Sequence, residues 1–323
     1  MHMVHARVAL FGAAGYSGLE LCKLLSLHPG VELVAAASDT HAGKSVAALS
    51  GATTGVLFVT TQAAAETPCD VALLAIPPEP AVALTRTLRA RSVKVIDLSN
   101  AYRASAEAVY GLTSLFGAEV AAAPLVANPG CYATCVITAV APLVRHRLIE
   151  RDVIVAAGSG VTGAGKSSEE AMSLGELHDN VRAYKVLRHQ HVPEIEMALA
   201  TVGERPRVIL TTHLLPIARG IFATITVKLV APMGSAELTA RFRADYAVDP
   251  TVMVVDTPED VSLRKVVGTN QTMIGVASAG DICVVTAALD NLLKGAAGQA
   301  VENMNLVLGL PRTTGLGHLA RHA

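Results

Sequence analysis

A thiol stands directly after a turn. The stretch ANPGCYATC, residues 127–135, places Cys131 behind Asn128-Pro129-Gly130 and at the head of an apolar run, CYATCVITAVAPLV. Turn residues followed by such a run signal a helix start. A helix N-terminus lowers a thiol's pKa, and the thiolate is the reactive form. The backbone amides of a first turn can also hold an oxyanion. Cys135 falls one turn deeper on the same face and reads as a core residue.

A nucleophilic thiolate needs a proton shuttle and a clamp for its substrate. Candidates cluster in Arg188-His189-Gln190-His191-Val192-Pro193-Glu194. On an extended segment His189 and His191 would share one face. Pro193 stiffens the chain beside His191, which makes His191 the first choice for acid/base work and His189 the second. Arg103 and Arg219 are further anion clamps, with surface arginine as the bland alternative for each.

Glycines mark a second chemistry. Gly12-Ala-Ala-Gly15-Tyr16-Ser17-Gly18 lies between an apolar strand at 7–11 and a helix at 17–27 with leucines at helical spacing. His28-Pro29-Gly30 stops that helix, and a second strand follows at 31–37. Small residues between a strand and a helix let backbone approach a pyrophosphate at the helix N-terminus. A nucleotide beside a thiol points to hydride transfer through a thioester. The thiolate displaces a leaving group from an acyl carbon, and the thioester accepts hydride and collapses to an aldehyde.

The elements that position these residues fall into two halves. Strands at 71–76 and 93–98 flank a helix at 80–90, and the β-α alternation predicts an α/β, doubly wound, Rossmann-type parallel sheet. After Cys131 the pattern changes to an α+β domain with a largely antiparallel sheet. Its strands are read at 153–157, at 251–256, within 272–289, and as two strands in 207–230 joined through Pro216 to Gly220. A polar helix is expected before Asn180, a helix at 289–308, and a loose tail from Pro311. The domains read as 1–130, dinucleotide-binding and completed by the helix at 289–308, and 131–288, catalytic.

Composition excludes several classes. Among 323 residues, 26 basic and 27 acidic side chains give a charge of −1, which is no footprint for nucleic acid. Residues 120–144 carry no charge, but Pro124, the Asn-Pro-Gly turn and Pro142 interrupt them, which argues against a membrane span. Five cysteines without a Cys-x-x-Cys pair indicate reduced thiols in the cytoplasm, not a disulfide scaffold, and no metal-ligand pattern is visible. The N-terminus lacks the layout of a signal peptide.

The chain resembles the N-acetyl-γ-glutamyl-phosphate reductase family from about residue 7 to 310. GAAGYSGLELCKLLSLHPGVELVAAAS, KVIDLS, LVANPGCYAT, GSGVTGAGK, AYKV, HQHVPEIE, HLLPIARGI and DNLLKGAAGQAVENMNLVLGL look like its signatures, in order. The resemblance implies an NADP-dependent reductase of an acyl phosphate that works as a homo-oligomer, dimer or tetramer. It implies Cys131 as nucleophile and the His189/His191 segment as the acid/base region. The cofactor would take Gly12, Gly15, Tyr16, Ser17, Gly18, Ser38, Lys44 and Gly163, with Asn291 reaching the nicotinamide. The substrate would take Arg103, Asn128, Ser159, Arg188, Glu194 and Arg219. Asp39, 21 residues after Gly18, keeps NAD in view, because an acidic residue there suits a free ribose hydroxyl. Gln190, Ala133 and Ala218 depart from the family pattern, as does YGLTSLFG, which lacks its Pro-Glu. The alternatives are a reductase of a carrier-linked acyl phosphate and a dinucleotide-sensing regulator without turnover.

Overall fold

The computed structural model describes residues 6–164 and 177–319. The polar helix expected before Asn180 and the end of the GSGVTGAGK loop fall on 165–176, outside the described residues. The chain forms two compact units: one runs to Pro129 and takes back Ala296–His318, and the other holds Gly130–Gly295 and the chain from Leu319.

The first unit carries seven strands: β1 (Ala6–Phe11), β2 (Val31–Ala37), β3 (Phe58–Val59), β4 (Val71–Leu74), β5 (Lys94–Asp97), β6 (Val109–Tyr110) and β7 (Leu125–Ala127). They form one parallel sheet in the order β3-β2-β1-β4-β5-β7-β6. Helices α1 (Tyr16–Ser26), α2 (Val46–Ser50), α3 (Thr61–Glu66), α4 (Pro78–Ala90) and α5 (Thr113–Ala122) connect them. The strands are continuous apolar runs because both faces of a parallel sheet are covered. Val8 to Phe11 and Val71 to Leu74 are fully buried. With few aromatics available, alanines such as Ala9, Ala35, Ala37, Ala72 and Ala127 fill the core around Phe11 and Tyr102. The order reverses between β1 and β4. Ligands of such sheets bind outside the carboxyl ends of the strands at that switch point, where the Gly12–Gly18 turn begins.

The second unit opens with α6 (Cys131–Arg145) and β8 (Ile149–Ser159). There follow β9 (Arg182–Tyr184), α7 (Val192–Ala200), β10 (Arg207–Leu214), β11 (Ile221–Leu229), α8 (Ser235–Asp245), β12 (Val252–Val254), α9 (Leu263–Val266), β13 (Thr272–Ala279) and β14 (Ile282–Leu289). The sheet order is β12-β13-β14-β11-β8-β10-β9. The strands expected within 207–230 exist but do not pair with each other. β8 lies between them, parallel to β10 and antiparallel to β11. The crossover through α7 returns β10 parallel beside β8, which leaves the other edge of β8 to β11.

α6 is the central buried helix of this unit: every residue from Tyr132 to Val144 is buried. It absorbs most of the charge-free stretch, and no helix among the described residues is long and apolar enough to cross a membrane. Pro142 sits inside it and has no N–H to give the Thr138 carbonyl four residues back. The buried hydroxyl of Tyr246, on the segment after α8, donates to that carbonyl at 2.6 Å. Tyr246→Phe should therefore leave a buried acceptor bare at a cost of ~1–3 kcal/mol. A lowered urea midpoint with kcat unchanged is the expected result; an unshifted midpoint would assign the repair of the helix to another group.

The C-terminal segment differs from its expected form in two places. Asp290 to Ala297 does not continue as α-helix. Leu293–Ala297 is a π turn, with the Gly295 N–H bonded to the Asp290 carbonyl, before α10 (Gly298–Val307) begins. From Pro311 to His318 the tail is pinned within the first unit. Asn305 Nδ2 donates to the carbonyls of Arg312 and Thr314, Arg312 pairs with the buried Glu302 at 3.4 Å, and Leu316 is buried. The same Asn305 holds His28 through its Oδ1 at 2.9 Å. Polar residues on the buried face of α10 thus order a tail whose composition reads as loose.

Candidate active site

Cys131 is the first residue of α6, and Gly130 caps the helix with extended backbone. It is the only partly exposed cysteine; Cys22, Cys69, Cys135 and Cys283 are buried. Burial pushes the thiols of Cys22 and Cys283 up to about 12 and raises those of Cys135 and Cys69. The one thiol within reach of a reagent is therefore also the one at a helix N-terminus.

Gly130 fits where no larger residue would. A Cβ there would lie 2.4 Å from His191 Nε2 and 2.7 Å from Glu194 Oε1. The imidazole and the carboxylate are thus seated directly against the turn that presents the thiol. Glu194, 2% exposed in the first turn of α7, accepts the Gly130 N–H at 3.1 Å through Oε2 and stands 3.8 Å from His191 Nε2 through Oε1. The opposite flank is equally tight: a Cβ on Gly295 would come within 2.8 Å of the Cys131 Cβ.

The two histidines do meet, with ring centroids 4.6 Å apart, but not along an extended segment. His191 has helical backbone at the cap of α7, because Pro193 sits within the first helical turn, where proline is favoured. The pair is brought together by a turn in which the His191 N–H donates to His189 Nδ1 at 3.2 Å. Burial, with a smaller contribution from the Lys185 charge, lowers the His189 pKa to about 4. His189 is a neutral ring whose Nδ1 already has a donor.

Two tyrosines complete this cluster, and sequence reasoning missed their part. Tyr184 donates to the Tyr132 hydroxyl at 3.1 Å, and both rings stand edge-on to His189 at 5.3 and 6.0 Å. Burial raises both phenols. The available signal was adjacency: Tyr132 follows the thiol and Tyr184 lies in AYKV.

Ser159, Gly163, Arg219 and Asn291 form a neighbouring group where β8 ends and β11 begins. Ser159 is fully buried and donates to the Gly160 carbonyl. A Cβ on Gly163 would press on Ser159 Oγ at 2.9 Å. The Asn291 amide ties two loops, accepting the Gly220 N–H at 2.7 Å and donating to Thr162 Oγ1 at 3.1 Å. Arg219 pairs with the buried Asp290 at 3.1 Å. Arg188 stands exposed, and Gln190 accepts a hydrogen bond from Lys185.

In the first unit, Arg103 and Asn128 brace the turn before the thiol. Arg103 Nε donates to the Asn128 carbonyl at 2.9 Å and its Nη2 to the Leu98 carbonyl at 2.7 Å. The Asn128 side chain donates to the Ala296 carbonyl and accepts from Asn303 Nδ2. The glycine turn has the form a dinucleotide cradle needs. Gly12 has φ +75°, and a Cβ would lie 2.2 Å from the Ala75 carbonyl oxygen. A Cβ on Gly18 would lie 2.2 Å from the Gly12 oxygen. Gly15 caps α1, whose first turn, containing Tyr16 and Ser17, has no acidic side chain to compete with a phosphate. Beyond β2, the Asp39 carboxylate is taken by Thr61, accepting from its N–H and its hydroxyl at 2.8 Å each. Ser38 and Thr40 hydrogen-bond the His41 ring, and Lys44 is exposed nearby in sequence.

Residues 7–123 match the model of the semialdehyde dehydrogenase NAD binding domain, and residues 131–291 that of the semialdehyde dehydrogenase dimerisation domain. In the fold, the chain is similar to aspartate semialdehyde dehydrogenase II from Vibrio cholerae, with a TM-score of 0.78 at 18% identity over 94% of this chain and 99% of that one. An aspartate semialdehyde dehydrogenase with NADP from Candida albicans superposes with a TM-score of 0.69 at 16% identity, covering 94% and 98%. In sequence, it is 37% identical to N-acetyl-gamma-glutamyl-phosphate reductase of Bacillus cereus (strain B4264), over 97% of this chain and 99% of the relative. The reductase of Pelotomaculum thermopropionicum is 38% identical over 96% and 97%. With a cysteine-bearing turn and a glycine cradle in the places described, and identity of this degree along nearly its whole length, the chain belongs to the N-acetyl-γ-glutamyl-phosphate reductase family.

Proposed function

We propose that the chain reduces N-acetyl-γ-glutamyl phosphate to N-acetylglutamate 5-semialdehyde with NADPH, through a thioester on Cys131, as a step of arginine biosynthesis. The observation that carries this reading is the fit of His191 and Glu194 against Gly130, beside a partly exposed thiol at the head of α6. Cys131 attacks the acyl carbon, an S–C bond forms, and the C–O bond to phosphate breaks. The amides of the first turn of α6 hold the oxyanion. His191 moves the proton, and Glu194 steadies the imidazole while fixing the Gly130 amide. His189 is a positioning residue whose Nδ1 holds the His191 backbone. Arg219 clamps the substrate anion, while Arg103 and Asn128 hold the turn.

Gly12, Gly15 and Gly18 suit a dinucleotide diphosphate, and Ser38 and Lys44 suit a 2′-phosphate. When bound, the dinucleotide supplies the hydride that the thioester accepts. Capture of Asp39 by Thr61 supports NADP over NAD, because that carboxylate already has donors on both oxygens. Lys44→Ala should weaken NADP several-fold more than NAD in fluorescence titration; equal losses would move the phosphate site away from Lys44. We also place the protein in the cytoplasm as a homodimer or larger oligomer. The half-exposed Ile154, in the middle of β8, faces away from α6 on the open side of the second sheet. A monomeric mass by light scattering would overturn the oligomer.

The test of the reaction is oxidation of N-acetylglutamate 5-semialdehyde. The rate should depend on added phosphate or arsenate, because the thioester otherwise lacks an efficient acceptor. Full rate without phosphate would make the protein a hydrolysing aldehyde dehydrogenase instead. Neither a carrier-linked substrate nor a sensor role is favoured by relatives that carry the reductase name along their full length.

A further inference from the structure

We propose that Asp290 is a positioning residue for this reaction, acting through Arg219: its buried carboxylate aims the guanidinium that clamps the substrate anion. The inference rests on the reductase reading above. Asp290 directly follows β14 and is fully buried. A buried carboxylate persists only when its oxygens are hydrogen-bonded or paired, and this one is saturated. Oδ1 accepts the N–H groups of Leu292 and Leu293 at 2.9 and 3.1 Å and Arg219 Nη2 at 3.1 Å, and Oδ2 accepts the Gly268 N–H at 2.9 Å.

Three of those donors are backbone amides at the start of a helical segment or after α9. Serine, threonine or asparagine would cap a helix start as well. Only the guanidinium calls for a charge. The exposures of the pair are also unequal: the Arg219 side chain is 25% exposed and Asp290 0%. A planar fork with five donors can be gripped on one edge and still meet an anion with another. Asp290 holds Nη2 from the buried side, while a quarter of the Arg219 side-chain surface stays exposed. The placement is local to the chemistry. Arg219 adjoins Gly220, whose N–H is held by Asn291, and the Asp290 carbonyl accepts the N–H of Gly295, the glycine that lies against Cys131. A purely structural ion pair would not need its cation partly exposed.

The test is a double-mutant cycle on Asp290→Asn and Arg219→Met in the full chain, read in steady-state kinetics with N-acetylglutamate 5-semialdehyde and phosphate. Asp290→Asn should raise KM for the semialdehyde or for phosphate about 10-fold or more, which is ~1.4 kcal/mol. It should change kcat only a few-fold and leave the rate of Cys131 alkylation by iodoacetamide unchanged. The double variant should match Arg219→Met, because Asp290 has nothing left to aim. KM losses that multiply, or slower alkylation with KM unchanged, would overturn the proposal and leave Asp290 a structural cap. Asparagine turns an N–H toward the Gly268 amide, so Asp290→Ser, which keeps a cap acceptor, is the second variant. If neither folds, Arg219→Lys reports without touching Asp290. It keeps the charge but loses the fork, and a KM near that of Arg219→Met is expected, whereas a wild-type KM would overturn the aiming role. Wild-type turnover of the semialdehyde tests the reductase reading by itself, and the cycle, measured relative to wild type, tests Asp290 alone.

Discussion

Cys131→Ser is expected to abolish turnover, by on the order of 10⁴-fold or more, while dinucleotide binding and the unfolding midpoint stay at their wild-type values. A serine hydroxyl in the same place is a far weaker nucleophile near neutral pH, because it does not ionise as a thiol does at a helix N-terminus. No other cysteine can take over. Cys135 is fully buried one turn along α6, and the burial that raises its pKa also bars a substrate. Cys22 and Cys283 are pushed up to about 12 by the same cause. Iodoacetamide should therefore label one thiol quickly, and loss of activity should track that label. Cys135→Ala should cost packing in the core of α6 and leave the chemistry intact. A Cys131→Ser protein retaining a tenth of wild-type kcat would rule out the covalent route and point to direct hydride transfer to an unacylated substrate.

That expectation was readable from Asn-Pro-Gly-Cys alone, because a helix start is a local event: turn residues, then an apolar run, then an end near Arg145. The first unit was legible for a related reason. Parallel strands buried on both faces are continuous apolar runs, and the glycine turn between β1 and α1 announces where their carboxyl ends meet a ligand. What stayed hidden depends on partners far along the chain. Nothing near Asp39 says that Thr61, 22 residues on, takes both of its oxygens. Nothing within 207–230 says that β8 will separate the two strands. Asp290 lies in a stretch with helical spacing, and its burial against Arg219, Gly268 and its own following amides turns the next residues into a π turn. The histidine pair shows the same limit at short range: spacing of two implies one face only if the segment is extended. Pro193 starts a helix instead and delivers the rings to each other by a turn.

On the proposed mechanism that turn gives the two histidines different roles, and the difference is measurable. His191→Gln should lower kcat by ~10²–10⁴-fold, the usual contribution of a general acid/base, with KM little changed. Glutamine keeps a polar atom near the position of Nε2, so the Gly130 and Glu194 contacts survive and the loss reports proton transfer. His189→Asn should keep kcat within about 10-fold, since its oxygen can replace Nδ1 as acceptor of the His191 N–H. A ring whose pKa is held near 4 by burial is a poor proton carrier at neutral pH. It should instead appear in acid stability. Between the ordinary value of 6.5 and about 4 the unfolded chain binds a proton that the folded chain refuses, so stability is fully present above pH 6.5 and falls as the pH drops through that window. His189→Asn removes the linkage, so its unfolding midpoint should fall less than the wild type's between pH 7.5 and 4.5. If His189→Asn loses the larger share of kcat and His191→Gln flattens the acid profile, the roles are exchanged, and the proton passes through the ring beside Tyr132 and Tyr184.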